Sequence, residues 1–161
     1  MNKAIIKVGI ADMNIVKGQE TIRTSGLGSC VGIVLYDEII QIAGLAHIML
    51  PKSSIGKVQN KAKFADTAIS EMINRLQNEG ARKSRLRAKI AGGAQMFKVS
   101  AKTELMRIGP RNIEAVKQEL HSLNIPIVAQ DIGGSSGRTI EFTPATKILH
   151  IRTVNLGTKK I

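Results

Sequence analysis

Two apolar runs dominate the pattern of the chain. Residues 30–36 and 41–49 are almost continuously small or branched apolar side chains, separated by the polar pair Asp37-Glu38. Runs of this length bounded by turn residues predict two buried strands joined as a hairpin. An earlier strand is predicted over 3–10, and 52–57 reads as loop. The period becomes helical over 62–79, where Phe64, Ala65, Ala68, Ile69, Met72, Ile73 and Leu76 share one face and Gly80 is placed to end the helix. Residues 86–91 alternate like a strand and stop at Gly92-Gly93. A second helix is predicted to run from Asn112, as its N-cap, to about Leu123, with Ile113, Val116, Leu120 and Leu123 as the buried stripe. A strand over 125–129, a glycine-rich loop over 133–137 and a closing hairpin of 139–142 and 147–154 around Pro144 complete the pattern. Strands outnumber helices, and strands separate the two helices. That predicts an α+β class in one domain spanning 1–161.

Composition narrows the class. With 43% apolar and 22% charged residues the chain reads as an ordinary globular protein. No apolar stretch has the length of a membrane-spanning helix. Lysines interrupt the apolar start of the chain, which therefore lacks a signal-peptide pattern. A single cysteine excludes an intramolecular disulfide and points to a reducing, cytoplasmic setting. The 24 Lys and Arg against 12 Asp and Glu give a formal net charge of +12. Such a charge suits nucleic acid or an acidic protein. Three Phe, one Tyr and no Trp leave almost no platform for base stacking, which disfavours single-strand binding.

The candidate chemistry lies at the start of the first apolar run. Thr24-Ser25-Gly26-Leu27-Gly28-Ser29-Cys30 reads as a glycine-punctuated turn ending in the only cysteine, and His47 follows within the second run. If 37–40 is the hairpin loop, Tyr36 faces Gln41, Leu35 faces Ile42 and Cys30 faces His47. Directly opposed side chains have Cβ atoms about 4.5–5.5 Å apart, close enough for a thiol–imidazole hydrogen bond. A one-residue slip would put the two on opposite faces. An imidazolium beside the thiol, with the N–H groups of the glycine turn, would favour the thiolate, and the same N–H groups could hold an oxyanion. A buried structural cysteine and a satisfied core histidine would leave the same trace in the sequence. His121 and His150 read as structural or surface residues. Other motifs fail. Val31 stands where a dinucleotide fingerprint needs its third glycine, no serine-hydrolase elbow is completed, and the cysteine and three histidines lack zinc spacing.

The same residues carry a family resemblance. Thr24–Cys30 and the run Gly44-Leu45-Ala46-His47-Ile48-Met49-Leu50-Pro51 resemble the CheD family of chemoreceptor glutamine deamidases in bacterial chemotaxis. The likeness continues through Lys63-Phe64-Ala65-Asp66-Thr67-Ala68, Lys89-Ile90-Ala91-Gly92-Gly93-Ala94-Gln95-Met96-Phe97, Ile108-Gly109-Pro110-Arg111-Asn112, Asp131-Ile132-Gly133-Gly134 and Gly137-Arg138. The resemblance implies Cys30 as nucleophile, His47 as general base and acid, and Thr24 as the group that orients the imidazole. It implies no metal or organic cofactor. The implied fold is a β-sandwich-like core of mixed and antiparallel sheets with helices outside, similar to the catalytic domain of cytotoxic necrotizing factor toxins. The implied substrate is a glutamine on the cytoplasmic helices of a chemoreceptor. The implied partner is the phosphatase CheC, whose complex with the deamidase dephosphorylates CheY, with Phe97 and the 92–97 turn as candidate contacts. Lys57, Lys61, Lys63 and the Arg82-Lys83-Ser84-Arg85-Leu86-Arg87 cluster could steer the protein to acidic receptor helices. Nucleic acid and membrane insertion are not expected. A mainly regulatory, non-catalytic binding module that stimulates CheC and adjusts receptor activity is the alternative within the family, and a basic protein that binds duplex nucleic acid through its phosphates is the second alternative.

Overall fold

The computed structural model describes residues 4–53, 59–96 and 107–161. Among them, ten strands and two α-helices form two five-stranded sheets with the helices outside. In chain order the elements are β1 (Ile5–Val8), β2 (Asp12–Lys17), β3 (Thr21–Leu27), β4 (Val31–Asp37), β5 (Ile42–Ile48), α1 (Ala65–Asn78), β6 (Leu86–Gly92), α2 (Ile108–Ser122), β7 (Ile127–Ile132), β8 (Arg138–Thr143), β9 (Ile148–Thr153) and β10 (Gly157–Lys160). Sheet 1 has the order β1-β3-β8-β9-β10 and sheet 2 the order β2-β5-β4-β6-β7. The pairs β1–β3 and β6–β7 are parallel, and the other pairs are antiparallel. The α+β class agrees with the pattern read from the chain, and the sheets of mixed direction with what the family resemblance implied.

The two apolar runs become β4 and β5 at the centre of sheet 2. Every residue of both strands is buried, because sheet 1 covers one face and the helices cover the other. One hydrophobic cluster joins β4–β6 to Ile69, Met72, Leu76, Val116 and Leu120 of the helices. A second, between the sheets, contains Ile22, Leu27, Val34, Leu45, Ile140 and Phe142. Sheet 1 has a wet outer face, so buried positions alternate with half-buried ones along β8 and with half-buried or exposed ones along β9.

The structure departs from the sequence reading in three places. The first is the segment before Cys30, which contains two strands, β2 and β3, rather than only a turn. They escape a pattern search because their inward positions are sparse and partly polar: β3 buries Ile22, Thr24 and Leu27. The short β10 is fully exposed and carries no apolar signal. The second is Asn112, which is not an N-cap. Helix α2 begins four residues earlier, after Arg107, with Pro110 in its first turn, where a missing N–H costs nothing. Asn112 is wholly buried inside the helix.

The third is the register of the central hairpin. Tyr36 pairs with Ala43 and Gly32, not Cys30, pairs with His47. The buried Asp37 causes the change. Its carboxylate accepts N–H bonds from Ile39, Ile40 and Arg82 and a charge-assisted bond from Arg85. It thereby shapes a longer connection than four residues. A shift of two positions preserves the side of the sheet, so Cys30 and His47 keep the same face and become diagonal neighbours.

Candidate active site at the turn between the sheets

The chain passes from sheet 1 to sheet 2 between Leu27 and Val31. Cys30 sits at the end of that crossing, one residue before β4. Three successive carbonyls hold the crossing in place. Gly28 C=O accepts from Ala94 N–H at 2.8 Å, and Cys30 C=O accepts from Gly93 N–H at 2.8 Å. Between them, Ser29 C=O accepts from Asn112 Nδ2 at 3.0 Å. Gly92 permits this close approach of backbones. A Cβ there would stand 2.4 Å from the Cys30 carbonyl oxygen, and its φ of +112° lies where other residues are strained.

Thr24 and His47 meet across the space between the sheets. Thr24 projects inward from β3 and is almost wholly buried, and His47 projects inward from β5 and is wholly buried. His47 Nδ1 lies 2.7 Å from Thr24 Oγ1, and Thr24 Oγ1 donates to the Val8 carbonyl at 2.7 Å. This chain of bonds sets the tautomer. The single hydroxyl proton of Thr24 is committed to a carbonyl that can only accept. Its oxygen therefore accepts from Nδ1–H, which leaves the neutral ring with a bare Nε2. Among the described residues Nε2 is buried without a hydrogen-bond partner.

Cys30 is half-buried and packs against the cluster between the sheets, the layer into which His47 projects. The two share that layer, but the thiol–imidazole hydrogen bond expected from direct opposition is not formed: Nδ1 is taken by Thr24 and Nε2 has no hydrogen-bond partner among the described residues. Both groups are driven toward their neutral forms. Burial pushes the Cys30 thiol up, opposed in part by its own backbone N–H. Burial also pulls His47 down to about 4. The resting imidazolium expected from the sequence is therefore replaced by a neutral ring, because threonine, unlike a carboxylate, brings no negative charge to stabilise a cation. Such a pair can exchange a proton as bonds form, without a standing ion pair.

The other residues singled out from the sequence lie apart from this cluster. His121 and His150 are exposed. In the basic cluster, Arg85 is bound to Asp37 and Arg87 to Glu38. Lys61 pairs with Glu71, and Lys63 lies over the Phe64 ring. Lys57 and Phe97 fall outside the described residues. Tyr36 and Phe142 pack together in the core, their ring centres 5.3 Å apart, so neither offers a surface for stacking bases. Among the described residues, no group of three or more His, Cys, Asp or Glu side chains could hold a metal ion, and no helix is long and apolar enough to cross a membrane. The residue that sequence reasoning misplaced is Asn112. Its signal was present: it falls in helical phase with Gly109, Val116 and Leu120, a polar side chain on the buried stripe.

A thiol, an unprotonated imidazole nitrogen and a hydroxyl bonded to the ring are the group types that nucleophilic cysteine chemistry uses. The family model described as CheD chemotactic sensory transduction matches residues 49–153, and near full-length relatives extend the likeness over the turn and both strands of the central hairpin. A chemoreceptor glutamine deamidase CheD of Halalkalibacterium halodurans is 57% identical over 159 residues, covering 98% of each chain. The protein of that name from Bacillus subtilis is also 57% identical, over 98% of this chain and 96% of its own. A probable chemoreceptor glutamine deamidase CheD of Lachnoclostridium phytofermentans is 54% identical over 98% of each. The chain belongs to the CheD family.

Proposed function

We propose that the protein is a cysteine-dependent hydrolase that converts glutamine side chains of chemoreceptors to glutamate and releases ammonia. The observation that carries the chemistry is the Val8–Thr24–His47 hydrogen-bond chain, which leaves Nε2 bare in the layer that Cys30 faces. The substrate class rests on family membership and on relatives named chemoreceptor glutamine deamidase.

In this reading Nε2 of His47 takes the Cys30 proton as sulfur attacks the carboxamide carbon, and the carbonyl oxygen becomes an oxyanion. The resulting imidazolium gives that proton to the departing nitrogen, which leaves as ammonia, and a thioester remains. Nε2 then takes a proton from water as the oxygen attacks the thioester. Collapse breaks the C–S bond, and the sulfur recovers the proton from His47. One water is consumed and one ammonia released. Thr24 holds the ring in the required tautomer throughout. No residue role in this sequence calls for a metal or organic cofactor.

The proposal extends to the setting of the enzyme. It acts as one deamidase domain over 1–161, a reading supported by sheet 1, which unites the early strands β1 and β3 with the late strands β8–β10. It works in the cytoplasm on receptor helices and partners CheC, and through it CheY, as family resemblance suggests. Kinship with the toxin catalytic domain is supported by the stacking of two sheets with helices outside.

The test is incubation with a receptor cytoplasmic fragment, followed by mass spectrometry for the gain of about 1 Da that marks glutamine-to-glutamate conversion, with ammonia release measured in parallel. Cys30→Ala should abolish both signals while retaining the wild-type melting temperature. Turnover in that variant comparable to wild type would overturn the nucleophile assignment.

A further inference from the structure

Helix α2 contributes a side chain to the cysteine turn although the turn belongs to the two sheets. Gly109, in the first turn of the helix, makes this possible. A Cβ at Gly109 would lie 2.3 Å from the Ala94 carbonyl oxygen and 2.7 Å from that of Gly93. Without one, the helix start presses onto the segment that follows β6. One turn later Asn112 reaches the crossing, where its Nδ2 donates to Ser29 C=O at 3.0 Å and to Met49 C=O at 2.9 Å. Both donors of one amide are thus spent on the backbone at Cys30 and at the end of β5. The amide orientation is unambiguous, because the reverse would set Oδ1 against two carbonyl oxygens. Among the described residues, Oδ1 is left buried and unpartnered. A buried acceptor without a partner costs about 1–3 kcal/mol. An apolar residue in this stripe position would avoid that cost, so the two donors are what the position supplies.

The Ser29 carbonyl and the Cys30 N–H belong to one peptide unit, and there is no cis peptide bond among the described residues. In a trans unit the C=O and N–H point in opposite directions. Fixing the carbonyl toward α2 therefore turns the Cys30 N–H away from α2. That N–H partly offsets the rise that burial imposes on the Cys30 thiol. The flanking carbonyls of Gly28 and Cys30 are also tied down, so the plane cannot relax by rotating its neighbours.

We propose that Asn112 is a positioning residue that holds the Ser29–Cys30 peptide plane so that the Cys30 N–H donates to the oxyanion formed on the substrate carboxamide. Preorganised donors of this kind matter in the transition state more than in the ground state. The effect belongs in kcat. The inference rests on Cys30 being the nucleophile.

The test uses the full chain with Asn112→Asp, which keeps shape and loses both donors, and Asn112→Ala. Both should lower kcat on a receptor fragment about 100-fold, the scale of one lost oxyanion donor, with KM changed less than about threefold. The pH profile of Cys30 alkylation by iodoacetamide should shift upward, which a remote structural defect would not cause. A folded variant with kcat within about threefold of wild type overturns the proposal, as does a loss of activity that only tracks the fraction unfolded. A measurement on the wild type is independent of variant folding. A peptide bearing an aldehyde in place of the glutamine carboxamide forms a hemithioacetal with Cys30, and the Cys30 amide proton should then move downfield. An unmoved resonance on a formed adduct overturns the proposal. Failure of the underlying reading looks different, since Cys30→Ala would then remain active. An inactive Cys30→Ala beside a fully active Asn112→Asp removes the positioning role alone.

Discussion

The central strands of sheet 2 are buried on both faces whereas sheet 1 has one wet face, and each sheet supplies one of the two hydrogen-bonded side chains of the candidate site. His47 comes from the fully covered centre of sheet 2, and Thr24 from the inner face of a sheet whose other side is wet. Their mutual hydrogen bond satisfies the Thr24 hydroxyl and Nδ1 of the ring in the layer between the sheets, and leaves Nε2 unpartnered among the described residues. The difference lies in what each can do after its partner is removed. In the proposed reaction His47 retains the nitrogen that moves a proton, whereas Thr24 acts only through the ring it orients. Burial also favours the neutral imidazole, which is the form the proposed reaction uses.

That asymmetry can be broken directly. His47→Gln removes the proton carrier from sheet 2 and should lower kcat/KM by about 10³–10⁴-fold, read from ammonia release on a receptor fragment. A loss no larger than that of a Thr24 variant would equate the two sheets and contradict the roles assigned.

Burial of His47 should also appear in the stability of the wild type. The folded state holds its pKa near 4, against about 6.5 in the unfolded chain. Between these values the unfolded state binds the extra proton. Stability is therefore undiminished above pH 6.5 and falls as pH drops toward 4, by on the order of 3 kcal/mol. Urea titrations across that window should show the fall in wild type and a flatter profile in His47→Gln. Parallel profiles would mean that the ring is hydrated rather than sealed between the sheets.

From sheet 1, Thr24→Val removes the hydroxyl and keeps the shape. Activity should fall about 10–100-fold, with the ring free to adopt the wrong tautomer, and Thr24→Ser should restore most of it. An inert Thr24→Val would show that packing alone orients His47. The smallest effect is expected on the wet face of sheet 1, where Arg23 pairs with Glu141 at 3.4 Å. Arg23→Gln should change stability by less than about 0.5 kcal/mol. A larger loss in a thermal melt would show that this face is not simply solvated.

The same contrast explains which parts of the fold were legible along the chain. Strands β4 and β5, covered on both sides, wrote themselves as apolar runs, and α1 as a clean helical stripe. The wet sheet was visible in part, through the strand expected over 3–10 and the hairpin of β8 and β9. Strand β3 looked like a turn because its inward residues include Thr24, whose burial makes sense only opposite His47. Asn112 resembled a cap because a lone polar residue near a helix start is usually one. Its true position depends on where α2 begins and on what the helix packs against, and neither is a local property.

The chain by itself determined the α+β class, the central hairpin, the family likeness and the identity of Thr24, Cys30 and His47 as candidates. Those follow from local period, residue chemistry and a match that runs through the whole sequence. Tertiary structure decided the rest. Asp37 lengthened the connection and moved the hairpin register by two positions, so that Cys30 is diagonal to His47 rather than opposite it. The stacking of the sheets joined Thr24 to His47 and selected the tautomer, and the approach of α2 brought Asn112 to the cysteine turn. Each of these is a contact between segments distant in sequence, set by which faces can be buried together, and no local pattern encodes it.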